Sequence, residues 1–307
     1  MRDLRAGVIG AGAFGRHHAR KYAEDPRVTL IGAYDPHPER MELLAETHHT
    51  QGFDHPEDLI AAVDVVTVAS PPQTHAEMAR LALDAGKHVL IEKPLAVDPA
   101  DGADLVARAE RQGVVLGVGH QERIILEAIG LLAVPECPIE VHASRAGPWT
   151  GRSADVSVTM DLMIHDIDMT LALVGEAPAE ISAHGRRTHG ALCDQIIARA
   201  RFPGGATARL HASRVAEERA RSMTLVYPSG KVVIDFIAKT FENTTPFALD
   251  PDFMQRPDAQ DSLGANVRRF LDVVLGERPR PPATGEDGLA ALELAHAFDL
   301  RVVRRAA

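Results

Sequence analysis

One stretch of the sequence collects residues that can move a proton. Asp161, His165 and Asp168 lie four and three residues apart in a run whose apolar pattern predicts a helix over 159–174. Side chains at these spacings share one face of a helix. Histidine can accept a hydroxyl proton near neutral pH, and a carboxylate one turn away can orient the ring. The alternative is a solvated face opposite core residues such as Ile164 and Met169.

Lys93 is the second candidate for chemistry. It follows the apolar run Val89–Ile91 and precedes Pro94, which restricts it to extended geometry. In open α/β sheets, ligands bind at the carboxyl ends of strands. A lysine there can stabilise the alkoxide that develops while an alcohol gives up hydride. The alternative is an ordinary solvated lysine at a strand end.

A glycine-rich turn predicts the dinucleotide that would take the hydride. Gly10, Gly12 and Gly15 form the GxGxxG pattern between a predicted strand and a predicted helix. The pattern permits a tight turn, close approach of a pyrophosphate and close helix–strand packing. Asp35 ends the next strand, where a carboxylate can accept from ribose hydroxyls. Because that carboxylate repels a 2′-phosphate, we expect NAD rather than NADP, although Arg40 is close in sequence.

The elements that must position these residues fall into two halves. Apolar runs alternate with helical patterns in the first third, which indicates a parallel Rossmann sheet. The predicted strands are Gly7–Ile9, Val28–Tyr34, Val65–Ala69, Val89–Ile91 and Val114–Val118, with a weak one at Gln51–Phe53; the helices are Phe14–Glu24, Glu39–Thr47, Thr74–Ala85 and Pro99–Arg111. We predict a dinucleotide-binding domain over 1–121.

The remainder, 122–307, predicts an α+β domain for substrate binding and oligomerisation. After the helix over 159–174, successive strand patterns are separated by turn signals, which favours a largely antiparallel, open sheet. These strands are Glu180–Arg187, Gln195–Phe202, Thr207–Arg214, Met223–Val226 and Lys231–Phe236, and two helices follow at Ser262–Gly276 and Asp287–Arg304.

Composition excludes several classes of protein. The 307 residues carry a formal net charge of −10, whereas nucleic-acid binders usually present a basic field. We expect no membrane partner, since no run approaches the roughly 18 apolar residues of a membrane helix. The N-terminus lacks a signal-peptide pattern, and the two cysteines suit a reducing compartment, so we expect a cytoplasmic protein. The histidine and aspartates match no closed metal ligand set, so no metal is expected.

The sequence resembles the Gfo/Idh/MocA oxidoreductase family over nearly its whole length. The matching motifs are Gly10–Gly15, Ser70–His75, Glu92–Pro94, Asp161–Asp168 and Gly285–Leu292. The resemblance implies an NAD-dependent dehydrogenase with Lys93 at the reacting hydroxyl and nicotinamide ribose, and His165 as general acid/base. It implies that Asp161 binds a neighbouring hydroxyl or supports His165. The residues along the cofactor would be Gly10, Gly12, Ala13, Phe14, Gly15, Asp35, Ser70, Pro71, His75, Glu92 and Lys93.

A narrower similarity is to the branch of that family that oxidises the 3-hydroxyl of UDP-N-acetylglucosamine to a ketone. It spans the segments 119–123, 145–149, 152–156 and 161–168. The substrate residues it implies are Arg123, Arg145, Trp149, Arg152, Asp161 and His165. Arg145 and Arg152 could pair with a diphosphate, and Trp149 could stack on a sugar or base; each could equally be a surface, core or lid residue. The sequence differs from this branch at two places. The segment after Arg123 has a different sequence, and Trp149 replaces a smaller aromatic residue.

The sequence therefore predicts an NAD-dependent oxidoreductase for a nucleotide sugar, with the open sheet as a contact between identical subunits. Three alternatives use the same fold. One is a dehydrogenase of a free sugar or polyol, of the inositol type, which would not need Arg145 or Arg152. Another is a non-catalytic NAD-binding regulator, against which Lys93, Asp161 and His165 together argue. The third is a hydrolase that oxidises its substrate only transiently.

Overall fold

The computed structural model describes residues 3–151 and 155–304. They form two compact units: the first holds residues 3–121 and 261–289, and the second holds residues 122–151, 155–260 and 290–304. The units differ from the predicted domains in one segment, because residues 261–289 belong to the first unit. Their apolar side chains explain this difference: Val267, Phe270 and Leu271 are buried in the same core as Ala6 and Val8.

The first unit has the predicted Rossmann sheet of six parallel strands, in the order β3-β2-β1-β4-β5-β6. The strands are β1 (Leu4–Ile9), β2 (Val28–Tyr34), β3 (Gln51–Gly52), β4 (Val65–Val68), β5 (His88–Ile91) and β6 (Leu116–Val118). Its first five helices are α1 (Ala13–Glu24), α2 (Pro38–His48), α3 (Pro56–Ala62), α4 (Pro72–Asp84) and α5 (Pro99–Gln112). All four residues of β4 are buried, as expected for a strand covered on both faces. Helix α3 has no counterpart in the sequence prediction.

The second unit is built on a mixed sheet of eight strands, in the order β13-β12-β11-β7-β10-β9-β8-β14. The strands are β7 (Glu140–Ala146), β8 (Glu180–Arg186), β9 (Gln195–Arg201), β10 (Thr207–Ser213), β11 (Ala220–Tyr227), β12 (Gly230–Asp235), β13 (Thr240–Asn243) and β14 (Val302–Arg304). Pairing is antiparallel except between β7 and β10 and between β8 and β14, so the largely antiparallel sheet is confirmed.

The helices of the second unit are α6 (Glu122–Ile129), α7 (Ile164–Val174) and α8 (Pro257–Gln260); α9 (Ser262–Val274) belongs to the first unit, and α10 (Gly285–Leu300) begins in the first and ends in the second. Two predictions need correction. The helix expected over 159–174 begins with a π-helical turn at Thr159–Met163, and regular α-helix starts at Ile164. The last helix ends at Leu300, because the following residues pair with β8 as a strand. Strand β7 and helix α6 have no counterpart in the sequence prediction.

Candidate active site

The glycine turn of the first unit has the geometry that the sequence predicts. Gly10 has φ of +96°, and a Cβ there would lie 2.6 Å from the Ser70 amide nitrogen. A Cβ on Gly15 would lie 1.7 Å from the Gly10 carbonyl oxygen, so α1 packs on the turn only because this residue is glycine. A Cβ on Gly12 would meet no heavy atom within 4 Å. Ala13 and Phe14 begin α1 and are exposed. The turn thus leaves open space at the helix N-terminus, where an anion is favoured.

Asp35 is buried at the carboxyl end of β2 and anchors the glycine turn. Its Oδ2 accepts a 2.7 Å hydrogen bond from the Ala11 amide, and its Oδ1 accepts one of 3.0 Å from the His37 amide. Each carboxylate oxygen has two lone pairs, so both retain the capacity to accept from a ribose hydroxyl. The residue therefore fits the expected role beside a dinucleotide and also holds the turn in place.

The segment after β4 is tied to the turn after β5 by a buried histidine. The ring of His75 lies 2.7 Å from the Pro94 carbonyl oxygen through Nδ1 and 2.9 Å from the Ser70 carbonyl oxygen through Nε2. Burial lowers the pKa of His75, although the two carbonyls oppose that shift. Pro71 is the residue just before α4 and is exposed. His75 thus fixes the relative position of two segments that the resemblance places along the cofactor.

Glu92 and Lys93 follow β5 at its carboxyl end. Glu92 is buried, and its Oε1 lies 2.8 Å from Nε2 of His18 on α1 and accepts from the Gln121 side chain at 3.3 Å. Burial alone would raise the pKa of Glu92, but His18 and Lys93 hold it below its usual value. Lys93 is half-buried. The turn that carries Lys93 is therefore locked through Glu92.

His165 is hydrogen-bonded to the carboxylate of Glu122, which was not among the predicted site residues. Its Nδ1 lies 2.7 Å from Oε2 of Glu122, the first residue of α6, and 43 positions separate the two in the sequence. We had expected a carboxylate one helical turn away to orient the ring. Burial would raise the pKa of Glu122, but the charges of His165 and Arg145 hold it well below its usual value. Glu122 is therefore an ionised acceptor beside the imidazole.

Arg145 and Arg123, both expected to face a substrate, are buried against carboxylates of α7. Arg145 Nη1 donates to Glu122 at 3.0 Å, and its Nη2 donates to Asp166 at 3.0 Å. Arg123 forms a two-pronged ion pair with Asp168, with contacts of 2.7 to 3.1 Å. Burial raises the pKa of Asp166. The structure thus shows each guanidinium balanced by a carboxylate of the protein.

Asp161 lies within the π-helical turn that precedes α7 and is half-buried. The turn is pinned from α10, because Ser157 and Thr159 donate to the carboxylate of Asp299 at 2.5 and 2.6 Å. Burial raises the pKa of Asp299. Single π-helical turns occur frequently at functional sites. Asp161 and His165 therefore flank the junction between the π-turn and α7.

Trp149 is half-buried and forms part of an aromatic and cationic cluster. Its ring stacks on His189 with centroids 4.2 Å apart, and the Arg214 guanidinium lies 5.1 Å from the ring centroid. Asp194 orders this cluster, because its carboxylate accepts from Arg214 and from the His189 amide at 2.8 and 2.7 Å. Arg152, another expected substrate residue, lies outside the described residues.

The strand order 3-2-1-4-5-6, with a glycine turn at the N-terminus of α1 and an acidic residue after β2, defines a dinucleotide-binding protein of the Rossmann class. Residues 4–120 match the family model described as "Oxidoreductase family, NAD-binding Rossmann fold". Residues 136–233 match the GFO/IDH/MocA C-terminal domain. The chain belongs to the GFO/IDH/MocA family and is an NAD-dependent dehydrogenase. Within the described residues, no helix is long and apolar enough to cross a membrane.

Relatives with assigned activities match along most of the chain. It is 34% identical over 291 residues to the UDP-N-acetylglucosamine 3-dehydrogenase of Acidithiobacillus ferrooxidans, with 91% of each chain covered. A crystal structure of that enzyme superposes with a TM-score of 0.90, covering 98% of each chain at 34% identity. The myo-inositol 2-dehydrogenase of Thermotoga maritima is 28% identical over 324 residues, covering 96% of this chain and 95% of that one.

Proposed function

We propose that this protein oxidises the 3-hydroxyl of UDP-N-acetylglucosamine, or of a related nucleotide sugar, to a ketone with NAD⁺. The observation that carries the proposal is the 2.7 Å contact between the His165 imidazole and the ionised carboxylate of Glu122. Asp161 lies four residues before His165, in the π-helical turn that precedes α7. The choice of sugar follows the relative that matches 91% of this chain.

The proposed chemistry assigns one task to each residue. NAD⁺, when bound, accepts the hydride from the carbon of the alcohol. His165 takes the hydroxyl proton, and the Lys93 ammonium stabilises the oxygen as negative charge develops. Asp161 binds a neighbouring sugar hydroxyl. In the first unit, the glycine turn and Asp35 would hold the dinucleotide, with Ser70, Pro71, His75 and Glu92 lining it.

The substrate-binding residues need a revised assignment. Arg145 and Arg123 are buried and neutralised by carboxylates, so we propose that they organise the site and do not bind a diphosphate. Arg152 retains the proposed role of a diphosphate ligand. Trp149 retains the proposed role of a stacking surface; since His189 already stacks on it, a base or sugar would replace or extend that stack.

A free polyol is the second candidate substrate. It is supported by the inositol dehydrogenase that matches 96% of this chain, and by the neutralisation of Arg145, one of the two arginines expected to bind a diphosphate. A non-catalytic regulator is disfavoured, because the chain combines Lys93, Asp161 and His165 with a carboxylate partner for the histidine.

The mixed sheet of the second unit supports a homo-oligomer. Strands β7, β9 and β10 bury alternate residues and direct mainly polar side chains to the opposite face. On that face, His211 lies 3.0 Å from Ser144 Oγ through Nδ1 and 3.2 Å from the Gln195 amide nitrogen through Nε2. We propose that this polar face joins identical subunits. We also propose a cytoplasmic location, which the two unpaired cysteines, Cys137 and Cys193, support.

Purified protein with NAD⁺ and a substrate panel tests the function, read as NADH absorbance. The panel holds UDP-N-acetylglucosamine, its galactose epimer, free N-acetylglucosamine, glucose and myo-inositol. Reaction with the UDP-sugars alone supports the proposal. Reaction with free sugars or polyols alone contradicts the nucleotide-sugar substrate and supports the second candidate. Adding an aminotransferase that consumes the ketone removes a limit set by an unfavourable equilibrium.

A further inference from the structure

We propose that Glu122 is the positioning residue of the proton transfer: its carboxylate holds His165 in the tautomer protonated on Nδ1, so that Nε2 exchanges the substrate's proton. The inference rests on the proposed role of His165 as general acid/base. It assigns to Glu122, which is not one of the proposed catalytic residues, control over which ring nitrogen does the chemistry.

The geometry of the contact fixes the direction of the hydrogen bond. An ionised carboxylate can only accept, so the 2.7 Å contact between Oε2 and Nδ1 requires the hydrogen to be on the ring nitrogen. A neutral imidazole carries one N–H, and Nε2 is then the nitrogen with the lone pair. The pKa of Glu122 is held well below its usual value, so the carboxylate stays ionised across the working pH range.

Glu122 is itself held in place by a buried ion pair. Its second oxygen, Oε1, accepts from Arg145 Nη1 at 3.0 Å, and Arg145 is fixed in turn by Asp166. The side chains of Arg145 and Asp166 are only 4% and 2% exposed, so this pair is rigid and shielded from solvent. A carboxylate with both oxygens engaged has little freedom to rotate away from the imidazole. Such outer partners orient functional histidines in many sites.

The other charged groups near Glu122 set the effect of removing it. Asp166 on α7, Arg145 on β7 and Arg221 on β11 all interact with the charge of Glu122. Arg221 lies directly opposite Arg145 in the antiparallel register, and burial lowers the pKa of Arg221. Neutralising Glu122 therefore removes the anion in contact with His165 and leaves the other partner of Glu122, the Arg145 guanidinium, shared with Asp166 alone. Cations disfavour the imidazolium, so the histidine should stay neutral to a lower pH.

Two variants of Glu122 separate its hydrogen bond from its charge. Glu122→Gln keeps a carbonyl oxygen that can accept from Nδ1 but removes the charge, whereas Glu122→Ala removes both. Glu127→Gln is the matched control, because it makes the same chemical change at an exposed position on the same helix. We expect Glu122→Gln to move the acidic limb of the kcat/KM profile about one pH unit lower. We expect Glu122→Ala to lower kcat about 10- to 100-fold with a smaller change in KM.

Nitrogen-15 NMR of the imidazole tests the inference without any substrate. The resonances are assigned with a His165→Gln variant, and the nitrogen shifts report the tautomer and the titration of His165. An Nδ1–H tautomer in the wild type, with titration at lower pH in Glu122→Gln and unchanged in Glu127→Gln, supports the inference. An Nε2–H tautomer, or no change in titration, overturns it. If the NMR result is as expected but no sugar is oxidised, the proposed function fails while the Glu122–His165 pairing stands.

Discussion

Asp35 Oδ2 accepts a 2.7 Å hydrogen bond from the Ala11 amide, so the acidic residue after β2 holds the glycine turn in place. Asp35→Ala should weaken NAD⁺ binding about 10- to 100-fold, since a hydrogen bond to a charged group is worth about 1.5–3 kcal/mol. Isothermal calorimetry with NAD⁺ and NADP⁺ measures this loss. The exposed Asp54→Ala variant is the control. Unchanged NAD⁺ affinity in Asp35→Ala would remove this residue from the cofactor site.

Two glycines of the same turn should respond differently to alanine. Gly12→Ala adds a methyl group into open space at a φ of −65°, so the free energy of unfolding should change by less than about 1 kcal/mol. Binding of NAD⁺ should nevertheless fall, because the pyrophosphate must approach this backbone closely. Gly15→Ala places its Cβ 1.7 Å from the Gly10 oxygen and should lose stability and binding together. Urea unfolding and NAD⁺ titration of both variants check the contrast; equal loss of stability would contradict it.

The buried pair of Arg123 and Asp168 gives a prediction about stability. Their side chains are 8% and 2% exposed, so removing either partner leaves a buried charge. Arg123→Met or Asp168→Leu alone should cost about 3–5 kcal/mol, and the double variant should recover much of that loss. A double-mutant cycle by urea unfolding measures the coupling. If the two single losses simply add, the ion pair does not stabilise the second unit.

Glu92 makes stability depend on pH, independently of any substrate. Its pKa is lowered in the folded protein, with His18 as the main stabilising partner against the effect of burial. The ionised Glu92 therefore stabilises the folded protein fully above its unfolded-state pKa, for which the ordinary value is 4.5. This stabilisation is lost as pH falls through the lower pKa of the folded state. Glu92→Gln should therefore be less stable than wild type at pH 7, and the difference should narrow below about pH 4.5. Urea unfolding from pH 3.5 to 7 measures it; a constant difference would contradict the effect.

Local patterns predicted the Rossmann unit well, because its information is contiguous. The strand Val28–Tyr34 has its predicted bounds, and the glycine turn has its signature in six consecutive residues. By contrast, β7 lies in the middle of the second sheet but lacks a clear apolar run. Its buried positions are Val141, Ala143 and Arg145, so one of the three is a charged residue, and less buried residues separate them. The apolar stripe of α9 correctly predicted a helix. It did not predict that α9 packs in the core of the first unit, because that depends on tertiary packing.

The site shows the same limit. We predicted Lys93, Asp161 and His165 as site residues from their spacing and from the family resemblance. Glu122 was missed as a partner of His165, because the contact spans 43 residues and has no local signature. Arg145 was singled out for its charge, but burial between Glu122 and Asp166 changes what that charge does. Pairings over long separations depend on sheet and helix packing that periodicity does not encode.

The most direct test of the account is turnover by a His165→Gln variant beside the wild type. Initial rates of NADH formation from UDP-N-acetylglucosamine are compared, with NAD⁺ affinity measured on the same preparations. We predict that kcat/KM of the variant falls about 10²- to 10⁴-fold, the usual contribution of a general base, while NAD⁺ binding is unchanged. Turnover by the variant at the wild-type rate would contradict the role of His165 and the mechanism built on it.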